Sequence, residues 1–187
     1  ALYCAGLKSD RLTELSGMLD AKNIRTNKIP LLPSKTDGIE EVIHDIIGDI
    51  NIEDLKIPFC AVAVDVITGT EIHFTKGSIS KAVAASCAVP GIFNPVEYGN
   101  YLLYDGGLLN NIPSNVPKLF GCDVVIGVDI NSTRGYGTTS KKLIDLMLAS
   151  MRIMMKSNSL KGYLNADVMI QPDMKRFNRP KLESVDR

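Results

Sequence analysis

Three aspartates stand where predicted strands end, and one of them is followed by two glycines. They are Asp65, Asp105 and Asp129, and only Asp105 begins an Asp-Gly-Gly triplet with Gly106 and Gly107. In an open parallel sheet, ligands bind outside the carboxyl ends of the strands. Glycine permits positive φ and lets backbone amides approach a substrate closely. Asp105 is therefore the best catalytic candidate, although the same triplet is common as an ordinary turn.

The other reactive side chains stand in contexts that favour structural roles. His44 lies on the flank of a predicted amphipathic helix and His73 on an alternating strand, so a hydrolase built here needs a carboxylate as its base. Ser80 and Ser86 lie on a small-residue helix, outside any Gly-x-Ser-x-Gly turn. The four cysteines are scattered singly, with no histidine at metal-ligand spacing. This pattern predicts no metal centre and favours a reduced, cytoplasmic compartment.

The composition is that of one folded domain, and we expect residues 1–187 to form it. The chain has 187 residues, of which 45% are apolar and 22% are charged. Because 21 basic residues balance 21 acidic ones, no net positive field would attract nucleic acid or anionic lipid. No apolar run approaches the roughly 20 residues that span a bilayer. We therefore expect no nucleic-acid partner and, at most, a transient hydrophobic contact with a membrane.

Hydrophobic periodicity predicts helices that alternate with strands. This alternation implies an α/β fold with a central, mostly parallel sheet between two helical layers. Methionines on the last helix are expected to fill the core rather than to line a lipid pocket; they are Met147, Met151, Met154 and Met155. The predicted segments are helix 10–20, linker 29–33, helix 37–50, strand 59–66, strand 72–75, helix 79–88, strand 102–104, helix 113–120, strand 124–130, loop 131–139, helix 141–162 and strand 168–170.

The first six residues, Ala1 to Gly6, have the character of a helix end. They are small and apolar, and Gly6 suits the left-handed position that closes a helix. A helix of this length is too short to be stable alone. We therefore expect the helix to begin upstream of Ala1 and the chain to be a fragment of a longer protein.

Four blocks of sequence follow one another in a recognisable order. They are Asp65-x-x-Thr68-Gly69, the segment from Ala85 to Val96 with its Val89-Pro90-Gly91 centre, the segment from Tyr104 to Pro113, and the segment from Gly121 to Asp129. Together they resemble the second half of the patatin-like phospholipase domain. The segment from Ala1 to Leu15 also resembles what that family places after its nucleophile, so the resemblance covers nearly the whole chain. It implies a three-layer α/β/α fold and a lipid acyl hydrolase activity.

The family acts through a Ser–Asp dyad, and the resemblance assigns its aspartate to Asp105. Gly106 and Gly107 would belong to the active-site loop. The serine of Gly-x-Ser-x-Gly and the glycine-rich oxyanion loop would both precede Ala1, so this chain alone is expected to be inactive. The resemblance implies a lipid or other acyl-ester substrate and no metal or other cofactor.

Two further functions stay open on the residues alone. One is a magnesium-dependent, phosphatase-like site built from Asp65, Asp105 and Asp129, because hard cations take carboxylate oxygens. The other is a non-catalytic scaffold or binding module.

Overall fold

The structure, a computed structural model, describes residues 1–18, 33–131 and 138–174. They fall into two units, the first formed by Ala1–Asp105 and the second by Gly106–Asn178. Three predicted segments lie partly outside the described residues, namely helix 10–20, linker 29–33 and loop 131–139.

The first unit contains every helix and strand predicted for it and one further strand. Helix α2 stops at Ile47 because Gly48 takes a positive φ of 74°, so it is shorter than predicted. The elements are α1 (Ser9–Met18), α2 (Asp37–Ile47), a 3-10 turn (Ile52–Asp54), β1 (Ala61–Asp65), β2 (Thr70–Phe74), α3 (Ile79–Ser86), β3 (Val96–Tyr98) and β4 (Tyr101–Asp105).

The four strands form an antiparallel sheet in the order β2-β1-β4-β3. The expectation of a mostly parallel sheet is therefore wrong here, while the mixed α/β class is confirmed. Short connections explain two of the three pairs, because tight turns can join only antiparallel neighbours. The central pair, β1 with β4, is antiparallel across a long connection. Strand β3, which the sequence analysis missed, joins β4 through the two residues Gly99 and Asn100, with Gly99 at φ 59°. That Gly-Asn pair is a recognised hairpin signal.

Helix α3 covers the middle of this sheet with small side chains. Ala82, Ala84 and Ala85 are fully or almost fully buried, and the helix contacts both β1 and β4. Strand β1 is buried along its whole length, as its continuous apolar run predicts. The small-residue helix thus packs closely on the two central strands, and it ends next to the carboxyl end of β4.

Asp65, the last residue of β1, is fully buried and holds the following turn. Its carboxylate accepts bonds from the backbone amides of Ile67 at 3.3 Å and Thr68 at 3.1 Å, and from the Thr68 hydroxyl at 2.6 Å. A fourth bond, at 3.0 Å, comes from the amide of Leu102 in β4. The Thr68 hydroxyl above all, helped by these amides, lowers the pKa of Asp65.

Asp65→Asn is expected to lower the melting temperature by about 5 °C. The asparagine side chain has only one acceptor oxygen, and its NH₂ group would face backbone N–H donors with which it cannot form a hydrogen bond. The lowered pKa makes the effect pH-dependent. The carboxylate stabilises the fold fully above its unfolded pKa of about 3.9 and loses that contribution as the pH falls through the lower folded value. Thermal unfolding, followed by circular dichroism at several pH values, measures the shift in melting temperature and its dependence on pH. Asp123→Asn, at an exposed position, is the control, and an equal shift in both variants would contradict the capping role.

The described elements of the second unit are a 3-10 turn (Gly106–Leu108), α4 (Asn115–Leu119), β5 (Ile126–Val128), α5 (Leu143–Asn165) and β6 (Val168–Ile170). The last three of these form a β-α-β element. Strands β5 and β6 pair in parallel, so the predicted parallel arrangement is confirmed for this pair alone. No described helix is long and apolar enough to cross a membrane.

Many apolar side chains of the second unit are exposed. Met147 and Met154 are 60% and 62% exposed, so the expectation that the methionines fill the core is wrong for these two. One face of the β5–β6 pair is apolar and exposed throughout, because alternate residues of each strand point to the same side. This outer sheet face consists of Val124, Ile126, Val128, Ile130, Val168 and Ile170.

Candidate active site

Asp105 is the last residue of β4, one of the two central strands of the first unit. It is half-buried and lies opposite Ala63 of β1. Its backbone N–H donates to the carbonyl of Ala88 at 3.0 Å, which ties the strand end to the residue that follows α3. Asp105 is thus anchored through its backbone at the end of a central strand.

Cys87, at the end of α3, lies close enough to Asp105 for the charge of that carboxylate to act on the thiol. Desolvation of the thiol, together with the negative charge of Asp105, raises the pKa of Cys87 to about 11. The thiol is therefore protonated at neutral pH, and a protonated thiol is a poor nucleophile.

The turn formed by Ala1 to Gly6 lies beside the same groups. The amino group of Ala1 is close enough to Cys87 for its charge to act on the thiol, and Ala1 packs against the core. The amide of Gly6, at φ 101°, donates to the Tyr3 carbonyl at 2.9 Å, and Leu7 donates to Leu2 at 3.2 Å. This pair of bonds is a Schellman motif. The prediction that Gly6 closes a helical turn is confirmed.

Gly106 and Gly107, in the second unit, are buried and begin a 3-10 turn. Such a turn has negative φ, so these two glycines do not use the positive φ that glycine permits. The Gly106 carbonyl accepts bonds from the amides of Leu109 at 3.0 Å and Asn110 at 2.8 Å. The Asn110 side chain in turn donates to Asn115 at 2.8 Å. The loop is therefore fixed by its own hydrogen bonds.

Helix α5 holds this loop from the side, through residues that the sequence analysis missed. Asn158 donates to the Leu108 carbonyl at 2.6 Å, and Asn111 donates to the Ser159 hydroxyl at 2.7 Å. At Gly162 a Cβ would lie 2.3 Å from the Ile112 carbonyl oxygen. A glycine inside a helix costs about 1 kcal/mol, so its presence in the predicted helix is the signal that could have indicated this close approach.

The structure does not assemble the aspartate site predicted for magnesium. Strands β1 and β4 are antiparallel, with Asp65 opposite Leu103 and Asp105 opposite Ala63. The Asp65 carboxylate already accepts four hydrogen bonds from its own turn and from Leu102. Asp129 accepts bonds from the Tyr163 hydroxyl at 2.7 Å and the Asn131 amide at 2.8 Å, within the second unit. Among the residues described, no three His, Cys, Asp or Glu side chains gather closely enough to hold a metal ion. The magnesium hypothesis relied on a parallel sheet and is not supported.

The two histidines have the surroundings that their sequence contexts predict. His44 is 54% exposed on α2, near Asp45 and Asp49. His73 lies on the edge strand β2, which β1 separates from β4, and forms a 2.6 Å bond with Glu71. Each histidine therefore has a carboxylate neighbour other than Asp105.

Comparison with known proteins identifies related sequences. A family model for patatin-like phospholipases matches residues 4–117. An uncharacterized NTE family protein of Mycobacterium tuberculosis is 41% identical over 103 residues, which are 53% of this chain and 18% of that protein. Patatin-like phospholipase domain-containing protein 7 of Mus musculus is 35% identical over 97 residues (51% and 7%). Neuropathy target esterase sws of Drosophila melanogaster is 34% identical over 94 residues (49% and 7%).

A family match covers more than half of a chain that has a mixed α/β fold and carries Asp-Gly-Gly at the end of a central strand. The chain belongs to the patatin-like phospholipase family. The matching segment spans less than a fifth of the length of each of the three relatives named above.

Proposed function

We propose that this chain is the aspartate-bearing part of a serine-type acyl hydrolase that cleaves lipid esters through a Ser–Asp dyad. Asp105 accepts the proton of the serine hydroxyl while the serine oxygen attacks the ester carbonyl carbon. The proton passes to the departing alcohol as the carbon–oxygen bond breaks, which leaves an acyl-enzyme. Asp105 then accepts a proton from the water whose oxygen attacks the acyl carbonyl carbon, and it passes that proton to the serine oxygen as the acyl–serine bond breaks and the acid is released.

The observation that carries this proposal is the position of the Asp105 carboxylate. It lies at the end of a central strand, half-buried, next to the end of α3 and close to the Ala1–Gly6 turn. A helix that follows a nucleophile turn and ends at Gly6 would bring its serine toward this same edge of the first unit. The absence of a nearby histidine among the described residues supports a carboxylate as the base.

We further propose that residues 1–187 are the remainder of one three-layer α/β/α domain. None of the 187 residues forms a Gly-x-Ser-x-Gly pentapeptide, so the nucleophile and the glycine-rich oxyanion loop come from outside this sequence. The exposed, wholly apolar outer sheet face of β5 and β6 supports a further covering layer, since β-branched side chains are rarely left in water as a continuous face. The four free cysteines favour a reducing, cytoplasmic compartment.

We expect the coding sequence upstream of Ala1 to contain Gly-x-Ser-x-Gly within about ten residues. Labelling with a fluorophosphonate serine probe tests the proposal directly. The extended polypeptide should label at that serine, its Ser→Ala variant should not, and the 187-residue chain should stay unlabelled. An upstream region without the pentapeptide, or labelling of the 187-residue chain itself, would contradict the proposed dyad.

A further inference from the structure

The carbonyl of Leu108, three residues after Asp105, is held by a side chain that is distant in the sequence. The side-chain amide of Asn158, on helix α5, donates to this carbonyl at 2.6 Å, in a partly buried contact between residues 50 positions apart. The carbonyl lies at the end of the 3-10 turn Gly106–Leu108, whose own backbone bonds use the Gly106 carbonyl instead. Asn158 therefore anchors the far end of the turn that follows Asp105.

Asp105 is also anchored on its other side, by the sheet. Its backbone N–H donates to the carbonyl of Ala88 at 3.0 Å. Directly after Asp105 the chain enters the turn, where Gly106 is buried. Asp105 thus lies between a strand end that is fixed by a backbone bond and a turn whose last carbonyl is fixed by Asn158.

Helix α5 approaches this loop closely enough for a short side chain to reach its backbone. Asn158 and Gly162 are four residues apart and so lie on the same side of the helix. A Cβ at Gly162 would lie 2.3 Å from the Ile112 carbonyl oxygen, so the helix backbone itself touches the loop. Between them, the buried Ser159 hydroxyl accepts a bond from Asn111 at 2.7 Å. This side of α5 is polar or without a side chain, and it binds the loop through hydrogen bonds.

A long helix is a suitable support for a precisely placed group. Helix α5 has 23 residues, Leu143–Asn165, and sites that are held by helices and strands are more precise than sites held by loops alone. The amide of Asn158 is neutral, so it brings no charge to the neighbourhood of the turn. Any influence of Asn158 on a reaction at Asp105 is therefore an influence on position.

On the basis of the function proposed above, in which Asp105 is the base, we propose that Asn158 is a positioning residue for the reaction. By holding the Leu108 carbonyl it fixes the turn after Asp105, and with it the direction in which the carboxylate meets the serine hydroxyl. Proton transfer requires the two groups to be within hydrogen-bond reach. A displacement of about 1 Å at a reacting group can cost about 10²-fold in rate.

Hydrolysis of a p-nitrophenyl ester by the polypeptide that also carries the serine nucleophile tests this role. Asn158→Ala should lower kcat and kcat/KM by the same factor, about tenfold, and leave KM within about twofold, because the lost contact acts on the transition state alone. Asn158→Asp keeps the size of the side chain, but its carboxylate has no hydrogen to donate at neutral pH, so we expect a similar loss. A normal kcat in either variant would overturn the proposal.

Two control variants separate positioning from general stability. Asn165→Ala removes another asparagine of α5, whose amide donates within the helix at 2.7 Å. Asp167→Ala removes a carboxylate that accepts a bond from the Val125 amide at 2.9 Å, so it should lower the melting temperature without touching the loop. Both controls should keep kcat within about twofold of the parent. A loss in Asp167→Ala as large as that in Asn158→Ala would show that reduced stability alone explains the effect, and would overturn the positioning role.

A double-mutant cycle tests whether Asn158 acts through Asp105. In an Asp105→Asn background, Asn158→Ala should lower the residual kcat by less than about twofold, because the group that it positions is already absent. A further tenfold fall would show that Asn158 acts independently of Asp105, and the positioning role would fail while the dyad stands. A near-normal rate in Asp105→Asn alone would instead contradict the proposed function itself, so the two failures are distinguishable.

Discussion

Asp105→Asn, introduced into the polypeptide that also carries the serine nucleophile, is expected to lower kcat for a p-nitrophenyl ester by about 10²–10⁴-fold. This is the usual contribution of a general base. The asparagine keeps the size of the side chain and much of its hydrogen bonding, but it cannot take the serine proton. Because Asp105 is only half-buried and its backbone bond to Ala88 is unaffected, the variant should fold, which circular dichroism can confirm.

The matched controls are His44→Ala and His73→Ala, which should leave turnover within a few-fold. His44 is exposed on α2, and His73 is paired with Glu71 on the edge strand. A folded Asp105→Asn enzyme with a near-normal rate would show that Asp105 is not the base. Loss of turnover in His73→Ala would assign the base to a histidine instead.

Gly162→Ala is expected to destabilise the protein by about 2–3 kcal/mol, although alanine is the better helix former by about 1 kcal/mol. The added methyl group would lie 2.3 Å from the Ile112 carbonyl oxygen and 2.5 Å from the Ile112 Cβ. Both of these atoms belong to the Ile112 backbone or are bonded directly to it, so the clash cannot be relieved by turning a flexible side chain aside. The melting temperature should fall by roughly 5–10 °C, as measured by calorimetry.

Ser157→Ala on the exposed side of the same helix is the control for helix propensity. It introduces alanine without a close neighbour and should leave the melting temperature of the monomer unchanged or slightly higher. If Gly162→Ala behaved in the same way, the contact between α5 and the loop after Gly106 would be looser than the structure indicates. Urea unfolding at a concentration below that of any self-association separates folding from assembly.

Local patterns in the sequence determined most of the individual elements. The continuous apolar run before Asp65 predicted β1, and the alternation after Gly69 predicted β2. Gly6 takes the positive φ that was predicted for the end of a helix. These signals are local, since each arises from side-chain periodicity or from the backbone freedom of one residue. Four ordered motifs were also sufficient to indicate the family, which the match over residues 4–117 shows.

How the strands pair was decided by the tertiary structure. Buried strands with apolar runs suggested a parallel sheet, but burial on both faces is independent of strand direction. The short connections around Gly69 and Gly99 made two of the strand pairs antiparallel, and the pairing of β1 with β4, which are far apart in the sequence, is antiparallel as well. That pairing brings the Leu102 amide to the Asp65 carboxylate, so Asp65 is a turn cap rather than a metal ligand.

The environment of the candidate site also depends on contacts between residues far apart in the sequence. The sequence named Asp105 and its two glycines, but nothing local placed Cys87 beside that carboxylate or Asn158 and Gly162 against the loop. Likewise, the methionines of α5 could be recognised as apolar but not as exposed. Composition and spacing determine which side of a helix is apolar, whereas only packing decides which side is covered, because coverage depends on the neighbours that the rest of the chain supplies.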